Sequence, residues 1–158
     1  AHEIKKHYPN VEFHICGYCE EDYKAAIKEK TLAGEVIYHG LVDDVKPYEE
    51  KCHCVVLPSF HPEGISNVLL EGAACARPLI TTDHAGCQET VTDGVTGYIV
   101  KQRNSKDLID KMIRFIKLSY EEKVQMGIEG RKKVEKEYDR KIVVDCYMKE
   151  IEELGRKI

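Results

Sequence analysis

The sequence has no apolar stretch approaching the roughly 18 residues that a membrane-spanning helix needs, and no signal-peptide pattern opens it. It has no internal repeat, no low-complexity tract and no Pro/Gly/Ser-rich linker, so nothing divides its 158 residues. A chain of that length fits one domain with a proper core. Seven cysteines, an odd number without a secretory signal, argue against a disulfide framework and for a reducing compartment. A composition of 42% hydrophobic and 33% charged residues fits the soluble globular domain that these absences leave.

The formal charge of −4 conceals an asymmetry: residues 1–100 carry 8 basic and 16 acidic side chains, residues 101–158 carry 16 and 12. The basic last third reads as helices with mixed charged faces, or as a surface toward anionic lipid or a second domain. A nucleic-acid patch is poorly supported, because "GRKKVEKEYDRK" interleaves its bases with acids. "CGYC" (16–19) and "CHC" (52–54) could supply four sulfurs to zinc. Cys16 and Cys54, however, sit in apolar runs where cysteine behaves as a small hydrophobe, so no metal site is expected.

Short apolar runs alternate with longer amphipathic ones. "VEFHIC" (11–16), "VIYH" (36–39), "CVVLP" (54–58), "PLITT" (78–82) and "YIV" (98–100) are strand candidates, bounded by Gly, Pro or Asp. Helical patterns lie near 20–30, 44–52 and 65–76, with a short one near 86–91, and "AHEIKKHYPN" reads as the end of a helix. Strands separated by single helices predict βαβ units, and so a Rossmann-like doubly wound parallel sheet. After Val100 the pattern is helical to the end, with Ser105 and Asp107 suited to the start of one helix and Ser119 and Asp139 as N-caps.

"HPEGISNVLLEGAACARP" (61–78) carries two glutamates, Glu63 and Glu71, at the start of and inside the most apolar helical run. Ligands of an open parallel sheet bind outside the carboxyl ends of its strands. "SFHPEG" leaves such an end, so a helix beginning at Gly64 or Ile65 would offer the amides of Gly64, Ile65, Ser66 and Asn67 to an anion. Gly64 would let a ligand approach without a Cβ in the way. Eight helical residues rise about 12 Å, roughly the reach of a nucleotide-sugar from hexose to ribose. Glu63 would then meet the sugar, the amides the diphosphate, and Glu71 the ribose diol. The plain alternative makes Glu63 a helix-terminal carboxylate and Glu71 a surface acid; the apolar "NVLL" and "GAACA" around Glu71 weigh against it.

The stretch "LPSFHPEGISNVLLEGAACARPLITTDHAGCQETVTDGVTGYIV" (57–100) resembles the C-terminal, nucleotide-sugar-binding domain of the family 4 retaining glycosyltransferases, which have the GT-B fold. The E-x7-E from Glu63 to Glu71, together with "LPS", "GCQETV" and "DGVTGYIV", carries the resemblance, which runs from about residue 9 to 118 and more weakly beyond. It implies that Glu63 contacts the donor sugar for front-face transfer, that Glu71 holds the ribose, and that the amides of Gly64, Ile65 and Ser66 bind the distal phosphate. It places the nucleobase against Gly40, Leu41, Val42 and Asp44. No cofactor or divalent metal is implied. His61, beside Pro62, could polarise a donor hydroxyl or phosphate, or be a mere loop histidine.

Two departures qualify the resemblance. The family's domain opens with a strand and a basic Arg/Lys loop, and a separate N-terminal domain binds the acceptor; residues 1–158 are expected to be the donor-binding domain alone. Ile65-Ser66 stands where the family often has an aromatic residue and Gly, a variant that leans toward UDP-sugars and polysaccharide biosynthesis. The expected function is hexosyl transfer from a nucleotide diphosphate sugar to a glycan or polyprenyl-linked acceptor. The expected setting is cytoplasmic, or peripheral on the inner face of the membrane. A nucleotide-sugar epimerase of the same fold and a non-catalytic nucleotide-sugar-binding domain are the alternatives. Glu89 reads as an orienting or capping residue and His39 as structural; Ser59 has no partners that would make it a nucleophile.

Overall fold

The computed structural model describes residues 1–61 and 64–155. Helix α1 (His2–His7) leads into β1 (His14–Cys16), followed by α2 (Glu21–Leu32), β2 (Ile37–Gly40), α3 (Lys46–Glu49), β3 (Val55–Leu57), α4 (Asn67–Ala74) and β4 (Leu79–Thr82). A 3₁₀ turn (Gln88–Thr90), β5 (Gly97–Val100), α5 (Ser105–Ile116), α6 (Tyr120–Glu137) and α7 (Arg140–Gly155) complete the order. All five expected strands are present, and every pairing among them is parallel.

The single sheet expected from the pattern is divided in two among the described residues: β1 pairs with β2, and β3, β4 and β5 form a separate sheet in that order. β4 is its centre and is buried at all four residues. Its side chains alternate between faces. Leu79 packs with Leu69 and Ala73 of α4, whereas Ile80 packs with Tyr98, Val100, Phe115 and Met126 on the opposite face. Burying a Leu or Ile of this kind contributes about 1.5–3 kcal/mol, so both faces are firmly covered. β5 can lie this close only because Gly97 has no side chain: a Cβ there would sit 1.9 Å from the Leu79 carbonyl oxygen.

The C-terminal helices brace the layer. α6 opens with a capping box in which the Glu122 amide donates to Ser119 Oγ (3.1 Å) and the Ser119 amide to the Glu122 carboxylate (2.7 Å). α5 is capped by Asn104, whose side chain accepts from the Asp107 amide at 3.0 Å, one residue ahead of the expected start. α6 then crosses α4 at Gly127, where a Cβ would lie 2.0 Å from the Ala76 carbonyl oxygen. Arg131 donates to the Ala74 carbonyl at the carboxyl end of α4 (2.6 Å), where the helix dipole favours a cation. α4 is therefore held in place from its far end. No helix among the described residues is long and apolar enough to cross a membrane.

Candidate functional site

The carboxyl ends of β3 and β4 are tied to each other by hydroxyls. Thr81 donates to the Leu57 carbonyl at 2.9 Å, and Thr82 donates to the Ser59 carbonyl. The chain leaving β3 therefore rises beside β4 before turning into α4. On the other side, the loop after β4 reaches the same helix: Gly86, at φ 89°, accepts from the Ser66 amide at 3.0 Å. Glu89 in turn accepts from the Gly86 amide at 2.7 Å, so its capping role holds. The "GCQE" segment is thus a clamp on the mouth of α4.

This clamp changes the predicted site in three respects. The helix starts at Asn67, not at Gly64 or Ile65, because Ser66 takes an extended conformation (ψ 114°) as N-cap. The Ser66 amide, expected to face a phosphate, is turned inward to Gly86, and Ser66 is buried. The 12 Å helical rise from Glu63 to Glu71 also lapses, since residues 64–66 are not helical. Glu63 itself lies outside the described residues. The exposed first-turn residues at the mouth are then Asn67 and Val68, whose amides have no intrahelical acceptor. Exposed Gly64 and Ile65 precede them, and a Cβ on Gly64 would meet nothing within 4 Å. Among the described residues, that is open space in front of a helix N-terminus.

Glu71 lies one turn into α4 and is exposed, on the side away from buried Leu69, Gly72 and Ala73. Its apolar neighbours in sequence therefore point elsewhere. Glu71 faces a second carboxylate that sequence reasoning missed, the buried Glu49 of α3. Burial pushes the Glu49 carboxyl above its ordinary range; the Cys75 thiol, 3.5 Å away, pulls it back, and the charges of Glu71 and Asp44 push it further up. Three carboxylates from separate elements thus feel one another beside α4. The only local signal for Glu49 was its place in the amphipathic "KPYEEKC".

Asp44, assigned to the nucleobase loop, also accepts from the Lys46 amide at 2.9 Å and so opens α3. Gly40 ends β2 at φ 71° and accepts from the Gly17 amide at 2.8 Å; Leu41 is 81% exposed beyond it, and Val42 is half-buried. This loop and α4 are linked electrostatically through Glu49; among the described residues no hydrogen bond joins them. His61 is exposed with its ring against Phe60 (centroids 4.3 Å apart), and the Arg103 guanidinium stacks over Phe60 at 4.6 Å. Arg103, with φ 54°, is a second residue that no sequence signal identified. His39 stacks on His14 and meets the Tyr48 ring at a tilt, as a structural residue does. Among the described residues, no group of three or more His, Cys, Asp or Glu side chains is arranged to hold a metal ion.

Residues 1–117 match the family described as "Glycosyl transferases group 1". The chain belongs to that family. A curated relative from Campylobacter jejuni, an N,N'-diacetylbacillosaminyl-diphospho-undecaprenol α-1,3-N-acetylgalactosaminyltransferase, is 28% identical over 87% of this chain and 36% of its own length. The capsular polysaccharide biosynthesis glycosyltransferase CapM of Staphylococcus aureus is 33% identical over 65% of this chain and 26% of its own. The solved structure of Anabaena HepE with UDP superposes with a TM-score of 0.76 at 21% identity, covering 94% of this chain and 42% of that one. A glycosyltransferase from Rickettsia africae superposes at 0.85 and 17% identity, covering 98% and 43%. The structural likeness shows the fold: a parallel α/β layer with C-terminal helices, as in the GT-B glycosyltransferases. The chain spans roughly a quarter to two fifths of the length of these proteins.

Proposed function

We propose that residues 1–158 form the donor-binding half of a retaining glycosyltransferase. It would take a nucleotide diphosphate sugar, a UDP-sugar by preference, and transfer its hexosyl group to a glycan or polyprenyl-linked acceptor held by a further domain. One observation carries the reading: a helix N-terminus at the carboxyl ends of β3 and β4, unobstructed among the described residues, with an exposed carboxylate one turn inside it. HepE, solved with UDP and with UDP-glucose, supports the choice of donor, and the Campylobacter relative, whose name includes diphospho-undecaprenol, supports the choice of acceptor.

In this reading the diphosphate lies over Gly64 and Ile65 against the amides of Asn67 and Val68, where the positive helix terminus stabilises the charge of the leaving nucleotide diphosphate without a metal. Glu71 accepts from the ribose hydroxyls. Gly40, Leu41, Val42 and Asp44 border the base. His61 and Glu63 meet the sugar as its bond to phosphate breaks and a bond to the acceptor oxygen forms on the same face; the acceptor's proton leaves with the diphosphate. A carboxylate at that point matters most as the sugar gains positive charge.

Gly64→Val tests the placement of the diphosphate. A Cβ there meets nothing within 4 Å among the described residues, and no left-handed backbone is required, so the melting temperature should change little. UDP affinity measured by calorimetry should fall at least about tenfold, a loss of about 1.4 kcal/mol. Unchanged affinity would remove the diphosphate from the mouth of α4.

A further inference from the structure

Among the described residues, two that are not glycine hold a left-handed backbone: Ala76 at φ 55° and Arg103 at φ 54°. That conformation costs an ordinary residue energy that glycine does not lose. Ala76 has a local reason for it. It follows the C-cap of α4, where a left-handed residue commonly ends a helix. Arg103 lies instead between β5 and the Asn104 that caps α5, in a turn that main-chain groups already hold. The Lys101 amide donates to the Asp107 carboxylate (2.8 Å), the Gln102 amide to Asp83 (2.9 Å) and the Asn104 amide to the Lys101 carbonyl (3.3 Å). None of these bonds needs a side chain at 103, so the strain there marks the side chain itself as used.

Its guanidinium lies over the Phe60 ring, 4.6 Å from the centroid, and among the described residues that ring is its one side-chain partner. A planar guanidinium stacks on an aromatic face at little cost in ordering. Phe60 is 41% exposed, so burial alone does not fix it. It belongs to the segment that leaves β3 for the mouth of α4. Thr82 secures that segment at the Ser59 carbonyl, and the His61 ring packs against Phe60 on the way to the mouth. Beyond Ser59, the stack with Arg103 is the hold that the described residues supply. Both ends of this hold rest on the same strand end. Asp83, next to Thr82, donates its amide to the Val100 carbonyl (2.9 Å) while its carboxylate accepts from Gln102.

We propose that Arg103 is a positioning residue of the donor site: through Phe60 it holds His61 and the segment entering α4 in place at the sugar end. The proposal rests on the donor reading above, which sets His61 against the sugar. Arg103 acts on the loop and not on the ligand. Without the stack the segment spreads over other arrangements, and the sugar's affinity falls in proportion to the share of molecules no longer competent. The strength of an exposed cation–π contact makes that a roughly two- to fivefold loss. The nucleotide end, held by α4 and the Gly40–Asp44 loop, is unaffected.

Calorimetry on residues 1–158 with UDP and with UDP-glucose tests the proposal. Arg103→Gly suits φ 54° and keeps the hydrogen bonds of the turn, so its melting temperature should change little. It should bind UDP as the parent does and UDP-glucose roughly two- to fivefold more weakly. Phe60→Leu should show the same split between the two ligands. The double variant should lose no more than either single one, because both remove one contact. Arg103→Lys, which keeps a cation for the ring, should recover part of the loss. Unchanged UDP-glucose affinity in Arg103→Gly, equal losses for UDP and UDP-glucose, or additive losses in the double variant would each overturn the inference and leave the donor reading standing. A parent that binds no UDP would overturn both.

Discussion

Replacing Glu71 by alanine separates a ribose-binding carboxylate from a surface acid. The side chain is exposed, so the variant should fold as the parent does. Hydrogen bonds from a vicinal diol to a carboxylate are worth about 1.5–3 kcal/mol. Against this stands a gain, because the removed charge no longer repels the diphosphate. Asn67 opens α4 four residues earlier, about 6 Å along the axis, so the diphosphate lies about 8 Å or more from the carboxylate. In water-like dielectric that repulsion is about 0.5 kcal/mol per charge, and screening at physiological salt reduces it further. The net loss is then about 1–2.5 kcal/mol, a five- to seventyfold weakening of UDP binding by calorimetry. The same titration with 2′,3′-dideoxy-UDP completes a cycle: the parent should lose a similar factor, and Glu71→Ala should lose little more. Equal penalties for the missing hydroxyls in both proteins would refute the contact between Glu71 and the ribose.

Two other variants probe the supports of the site. Gly127→Ala forces a Cβ to within 2.0 Å of the Ala76 carbonyl oxygen and so drives α6 from α4; a cost of about 2–3 kcal/mol should lower the melting temperature by roughly 4–12 °C. Glu49→Gln tests the buried carboxyl. Its folded-state value is raised by burial and by Glu71 and Asp44, so its stabilising contribution is complete below its unfolded value and is lost as pH rises through the raised one. Urea unfolding should show the variant gaining on the parent as pH rises from about 3, where the carboxyl is protonated in both states, to about 7.5; a constant difference would contradict the assignment.

The strands were legible because each is a short run of β-branched or aliphatic residues between Gly, Pro or Asp, a purely local signal. The capping box at Ser119 was half legible, since Ser119 itself could be read as an N-cap. The start of α4 was not, because Gly64 and Ile65 satisfy the same local rules as Asn67. What fixes the boundary is the hydrogen bond from the Ser66 amide to Gly86, between residues twenty apart in sequence. The division of the sheet was hidden for the same reason: periodicity identifies strands but not their partners. Glu49 was overlooked because the Cys75 thiol it meets comes from the end of α4, 26 residues away in sequence. The E-x7-E pattern misjudged the path of the chain, since residues 64–66 are not helical.

The most direct measurement of the donor site is an amide-resolved NMR titration of residues 1–158 with UDP. The account predicts that Gly64, Ile65, Asn67 and Val68 shift together with Glu71 and the Gly40–Asp44 loop, all following one saturation curve. Shifts confined to another surface, or none at these residues under saturating UDP, would contradict it.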